Sequence, residues 1–301
     1  EEQQPEAYVQ FMNNFGKPLS FNEQDSLMYR AAIIQYEDKK YNNATNGFRK
    51  YLEGYPEGKY QLNAMNYLAE MAYSLDQYDS AAVYFGKIAS KAPNQFSERA
   101  AITAARLYYF NLKDYAGAEQ YFKIVLQYAT QQEQKNEAIK GLLRCQYKAE
   151  NWGEASKTAV LILAEKNSAT DDILMANMAL YHQTIAQKDT TRALQILNTV
   201  LKSNSSMYTA EAHYLTACIY FNQQKYNIAE KTAFDVIKKQ ASYEFWVTKT
   251  YILLGDIYLA QNDSFNAIAT YKSIAENATI PALQQIASDK LKAITENIKA
   301  Q

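Results

Sequence analysis

The chain has 301 residues, 48% of them apolar and 21% charged, with only 9 glycines and 5 prolines. That composition supports a buried core and excludes a disordered, collagenous or turn-rich β protein. Lys+Arg 31 against Asp+Glu 32 leaves a net charge of −1, so no charge excess draws the chain to nucleic acid or an anionic membrane.

The first residues, Glu1-Glu2-Gln3-Gln4-Pro5, carry no methionine, basic cluster or apolar leader. They read as the start of a processed or trimmed product, with any targeting segment or lipid anchor upstream. Residues 1–24 hold one expected helix, over 5–18, with Pro18 closing it. Ala7 lies 37 residues before Ala44 and Phe11 lies 37 before Phe48. The helix therefore reads as the second half of a repeat whose first half is missing, and further helical hairpins are expected upstream.

Residues 25–280 repeat. Lys40-Tyr41-Asn42-Asn43-Ala44-x-x-x-Phe48 returns as Gln77-Tyr78-Asp79-Ser80-Ala81-x-x-x-Phe85 and as Asp114-Tyr115-Ala116-Gly117-Ala118-x-x-x-Phe122. Asn151-Trp152-Gly153-Glu154-Ala155, Asp189 to Ala193, Lys225 to Ala229 and Asp263 to Ala267 complete seven copies. Their alanines are 37, 37, 37, 38, 36 and 38 residues apart. Each unit contains two helical patterns separated by a polar break, as in Tyr251 to Tyr258, then Gln261-Asn262-Asp263, then Ala267, Tyr271 and Ile274. The alanine is small because the two helices of a hairpin touch there, at axes about 8–10 Å apart. The aromatic four residues later shares its face and fills the next gap. The aromatic three residues earlier closes the turn, and Pro56 and Pro93 end second helices. Over 281–301, Leu283, Ile286, Leu291, Ile294 and Ile298 form one stripe while Gln284, Gln285, Asp289, Lys290, Lys292 and Lys299 occupy the rest, which reads as a capping helix.

Leu254-Gly255-x-x-Tyr258…Ala267-x-x-x-Tyr271 and Leu68-Ala69…Tyr78-x-x-Ala81-x-x-x-Phe85…Pro93 resemble the tetratricopeptide (TPR) repeats. Copies four to six depart, with Ala159 and Ala233 in the aromatic position. The resemblance implies an all-α fold, an α-α superhelix of about seven hairpins between the N-terminal helix and the cap. The 37-residue period, with Phe48 to Pro56, Ala69-Glu70-Met71-Ala72-Tyr73 and Phe85, is similar to the long-period branch of bacterial envelope proteins. That branch includes the outer-membrane assembly lipoprotein and the TolA-binding coordinator. It implies a periplasmic or outer-membrane-associated place, the alternative being the cytoplasm.

No motif for catalysis stands out. His182 and His213 lie in first helices and belong to no zinc-binding pattern. Cys145 and Cys218, two units apart, do not make a disulfide scaffold. No phosphate loop, nucleophile elbow or dinucleotide fingerprint occurs. A non-enzyme without cofactor or metal is expected.

The resemblance places the first helices along a concave groove. Their twelfth positions read Tyr36, Tyr73, Phe110, Tyr147, Ile185, Phe221 and Leu259, one aromatic per unit at the start of the series. Two readings stay open: a ladder of rings for a ligand, or packing against the next hairpin. Tyr29, Asn66, Glu70, Lys140, Arg144 and Tyr214 are the other inward candidates. The carboxylate clamp of chaperone-binding members is missing, because the fifth and ninth positions read Tyr29/Ile33, Asn66/Glu70 and Thr103/Leu107. The expected function is a scaffold holding an extended peptide or helix of a protein partner, with no nucleic acid and no membrane span. The alternative is a glycan or peptidoglycan-fragment binder.

Overall fold

The structure, a computed structural model, describes residues 4–203 and 206–299, with side chains through residue 296. Ile298 therefore lies outside the described side chains. The fold is all-α, with sixteen α-helices and no strand among the described residues. The chain divides into two compact units, residues 1–151 and 152–301.

The first unit holds α1 (Pro5–Asn14), α2 (Phe21–Glu37), α3 (Tyr41–Gly54), α4 (Gln61–Ser74), α5 (Tyr78–Ala89), α6 (Ser97–Arg106), α7 (Tyr115–Tyr128) and α8 (Gln132–Lys148). The second holds α9 (Trp152–Ala164), α10 (Thr170–Ala186), α11 (Thr190–Val200), α12 (Met207–Asn222), α13 (Tyr226–Lys239), α14 (Glu244–Ala260), α15 (Ser264–Asn277) and α16 (Pro281–Lys299). Each unit thus begins on a second helix, runs through three hairpins and ends on a first helix. The unit boundary falls inside the fourth repeat of the sequence, where the alanine spacing continues without a break. Within each unit the substantial contacts join helices adjacent in sequence, or the next but one. The hairpins of each unit are stacked in file and do not surround one common core.

The seam has a simple physical basis. All seven repeat alanines are fully buried. The residues four further on, Phe48, Phe85, Phe122, Ala159, Leu197, Ala233 and Tyr271, are at most 3% exposed. Burying a ring of this kind stabilises the fold by roughly 1.5–3 kcal/mol. Small residues also let the helices close up from the other side. A Cβ on Gly255 would lie 2.4 Å from the Tyr271 ring, and one on Gly141 would lie 2.4 Å from the Phe122 ring.

The turns repeat too. Lys39, Asp76, Lys113, Glu150, Lys188, Gln224 and Asn262 all have positive φ, between 52° and 64°. Each stands five residues before its seam alanine. The following amide reaches back to a carbonyl of the first helix, as Lys40 N to Gln35 O and Gln77 N to Ala72 O, both at 2.9 Å. Those bonds satisfy carbonyls that a helix end otherwise leaves open. Asp114, Asp189 and Asp263, one residue later, cap the second helices by accepting from the amides of Gly117, Arg192 and Asn266 at 2.9, 3.0 and 3.1 Å.

One part of the expected capping stripe is corrected. In α16 the buried residues are Leu283, Ala287 and Ile294, whereas Ile286 is exposed. Inward positions advance by three or four residues, which puts Ile286 on the flank and Ala287 inside. Lys290 also turns inward, pairing with Asp256 at 2.6 Å.

Candidate functional site

In the first unit, α4 and α6 border a groove of about 400 Å³ on the first-helix face. Glu70 and Tyr73, three residues apart, share one face of α4. Arg99, Thr103 and Arg106 follow one another along α6, and Phe110 and Asn111 close the end. Glu70 Oε1 forms an ion pair with Arg99 Nη2 at 2.8 Å. Arg106 makes a two-pronged pair with Glu137 of α8, Nε to Oε1 and Nη2 to Oε2, both at 2.7 Å. Two guanidinium groups paired with carboxylates and two open rings therefore share a solvent-accessible trough, since Tyr73 is 47% and Phe110 57% exposed.

A local irregularity puts Phe110 there. Residues Leu107–Asn111 form a π-turn that inserts one residue at the end of α6. The capping amide of Asp114 consequently reaches Tyr108 O, six residues back. In the neighbouring hairpins Tyr36 meets Tyr41 at 5.7 Å and Tyr73 meets Tyr78 at 6.0 Å. In this one it is Tyr109 that meets Tyr115, at 5.3 Å. Phe110, the expected twelfth-position ring, is thereby turned out to the rim and packs edge-on against Tyr109 at 4.8 Å.

The other sequence candidates are distributed differently. Tyr29 belongs to the packed interior, stacked on Tyr60 at 4.4 Å and tilted against Phe48 and Tyr51. Burial, then the neighbouring Tyr67 and Tyr60, push its hydroxyl up to about 12. Tyr36 is half-buried and packs on both Tyr41 and Tyr67. Asn66 is half-buried one turn before Glu70. Lys140, Arg144 and Tyr147 are half-buried on α8. Tyr214 and Phe221 belong to the second unit. Phe221 packs on its turn aromatic, Tyr226, at 5.8 Å. Tyr214 lies 5.6 Å from Trp246, and Lys249 sits over the Tyr214, Phe245 and Trp246 rings at 5.1, 5.3 and 5.0 Å.

The groove thus unites Glu70, Tyr73 and Phe110 with Arg99 and Arg106, which the repeat register does not single out. Their signal in the sequence is opposite charge slightly less than one period apart, Glu70 with Arg99 and Arg106 with Glu137. A similar spacing sets His182 beside Glu211 in the second unit, 3.5 Å apart. There His182 also stacks on Trp152 at 4.0 Å. Among the described residues, no group of three or more His, Cys, Asp or Glu side chains is arranged to hold a metal ion. Nor is any described helix long and apolar enough to cross a membrane.

Solved structures with this kind of helical arrangement are similar to the chain at low identity. A tetratricopeptide repeat protein from Parabacteroides merdae is 14% identical, with a TM-score of 0.44 over 90% of this chain and 98% of that one. A thermophilic TPR protein of Thermus thermophilus is 19% identical, with a TM-score of 0.43 over 64% and 98%. BtubC from P. vanneervenii is 15% identical, with a TM-score of 0.46 over 80% and 92%. No protein-family model and no curated protein matches the sequence. The case for the repeat rests on the buried alanine seam itself.

Proposed function

We propose that the first-helix face of the first unit binds an extended segment or a helix of a protein partner, held between α4 and α6. The observation that carries this reading is the pair of uncovered rings, Tyr73 and Phe110, beside the carboxylate-paired Arg99 and Arg106. Rings supply apolar area at small entropic cost, and guanidinium groups already oriented by carboxylates supply directional hydrogen bonds. Binding of this sort needs no catalytic group, and the role is that of a non-enzymatic scaffold. The long repeat period supports a place in a bacterial cell envelope, which fractionation of cells making the native protein would test.

A photo-crosslinking residue at Tyr73, used in an envelope extract, would identify the occupant. With that ligand in hand, Tyr73→Ala and Phe110→Ala are each expected to weaken binding about tenfold, the effect of losing one interface ring. Both variants are expected to stay folded, because both rings are open to solvent. Tyr29→Ala, by contrast, is expected to cost about 2–4 kcal/mol of stability. Unchanged binding in both groove variants would remove the reading. Peptidoglycan fragments form the competing arm of the titration, since the same rings suit stacking on sugars.

A further inference from the structure

The seam that closes the hairpins continues into α1, where no described residue covers it. Ala7 and Phe11 occupy the same register as Ala44 and Phe48, yet Ala7 is exposed and Phe11 is 55% exposed. Phe15, one turn further, is 69% exposed and meets Phe11 at 5.2 Å, forming a single apolar stripe. The helix is not loose. Pro5 is buried, Tyr8, Val9 and Met12 are half-buried, and Glu6 pairs with Lys50 of α3 at 3.1 Å. The seam side is open together with the polar side that carries Glu6, Gln10 and Asn13. In the second unit, α16 ends its stack quite differently, with Gln285, Asp289, Lys292 and Glu296 exposed on its outer side.

We propose that the Ala7–Phe11–Phe15 face is a docking seam for one further amphipathic helix of the first-helix type. The occupant follows from continuity with the interface already used inside the chain. In the complete hairpins the seam pair is covered by a first helix, with a small residue at the crossing in most. Ala32, Ala69, Ala217 and Gly255, each twelve residues before its seam alanine, are those small residues, and Ala105 takes the place in the hairpin lengthened by the π-turn. Ala32, Ala69, Ala105 and Ala217 are at most 2% exposed. The partner helix accordingly carries apolar residues at i, i+3, i+4 and i+7 and Ala or Gly where it crosses Ala7. A second copy offering the outer side of α16 does not meet that description, because that side is charged and amidic.

The test places a first helix of this chain on α1. A peptide of residues 61–74, the α4 sequence, is fused ahead of the full chain through a flexible linker of about fifteen residues, which raises its effective concentration at α1. The expected result is slower hydrogen exchange across 5–14 and a rise in Tm of about 2–4 °C. The fusion carrying Ala69→Leu in the added helix, and the fusion on a Phe11→Asp chain, are both expected to lose the gain. Phe11 is exposed, so the latter chain folds as before, which circular dichroism verifies. No protection of 5–14 in the parent fusion would overturn the proposal. So would an equal gain from a scrambled helix, or concentration-dependent dimerisation through Phe11 in the unfused chain.

Discussion

Ala118 shows what one methyl group means in this fold. It is fully buried, whereas Ala116, two residues earlier on the same helix, is exposed. Ala118→Leu is expected to cost about 2–3 kcal/mol through overpacking, and Ala116→Leu to stay within about 0.5 kcal/mol, as read from urea midpoints. Titrating side chains extend the argument to pH. Burial, then the charge of Lys239, holds the His213 imidazole below its ordinary value. The unfolded chain then binds that proton more readily, so stability is level above about pH 6.5 and falls as pH drops below it. His213→Gln is expected to flatten this acid limb. Tyrosines act in the opposite direction. Burial pushes Tyr29 and Tyr121 up to about 12, and holds Tyr51, Tyr181, Tyr214 and Tyr271 higher still. Tyr51 and Tyr271 also donate to Asp25 and Asp256, both at 2.6 Å. Unfolded tyrosine ionises near about 10, so stability is expected to fall steeply above that pH, with several protons released together.

At the scale of a helix pair, the left-handed residue in each turn is the device that reverses the chain. It is Lys, Asp, Glu, Gln or Asn in every copy and never glycine. A non-glycine residue there carries about 1–2 kcal/mol of strain. Lys113→Gly is therefore expected to raise stability by about 0.5–1 kcal/mol, after its entropic cost in the unfolded chain. Lys113→Val is expected to lower stability by at least that much, since a β-branched residue tolerates positive φ poorly. Thermal unfolding of the two variants checks both signs. None of this is visible to a reader looking for Gly at helix ends, though the capping Asp114, Asp189 and Asp263 stand beside the position. The π-turn is equally silent, because Leu107 to Asn111 has the composition of ordinary helix and the 37-residue period runs straight across it. Its effect shows only where Phe110 lands.

Across the whole chain, two compact units divide a repeat that looks uniform in sequence. Stacked repeats unfold in steps set by their neighbours, so the units are expected to report separately. Leu197→Ala, at a fully buried site in the second unit, is expected to cost about 2–4 kcal/mol and to speed hydrogen exchange through 152–296. Protection in the first unit is expected to change little. Exchange measured by mass spectrometry on wild type and variant distinguishes this from a single cooperative transition.

The hairpins, their number and their common seam follow from local patterning. A fixed interval between small residues records which helices touch, and burial of Ala44 through Ala267 bears that reading out. The groove had to await three dimensions, for two reasons. Whether a ring such as Tyr29 or Tyr73 is packed or open depends on the neighbouring hairpin, which its own spacing does not encode. And Arg99 and Arg106 matter through Glu70 and Glu137, partners brought within 2.8 Å by stacking of separate helices. The uncovered stripe on α1 belongs to both levels: its register is written in residues 7 and 11, and its exposure is a property of the packed chain.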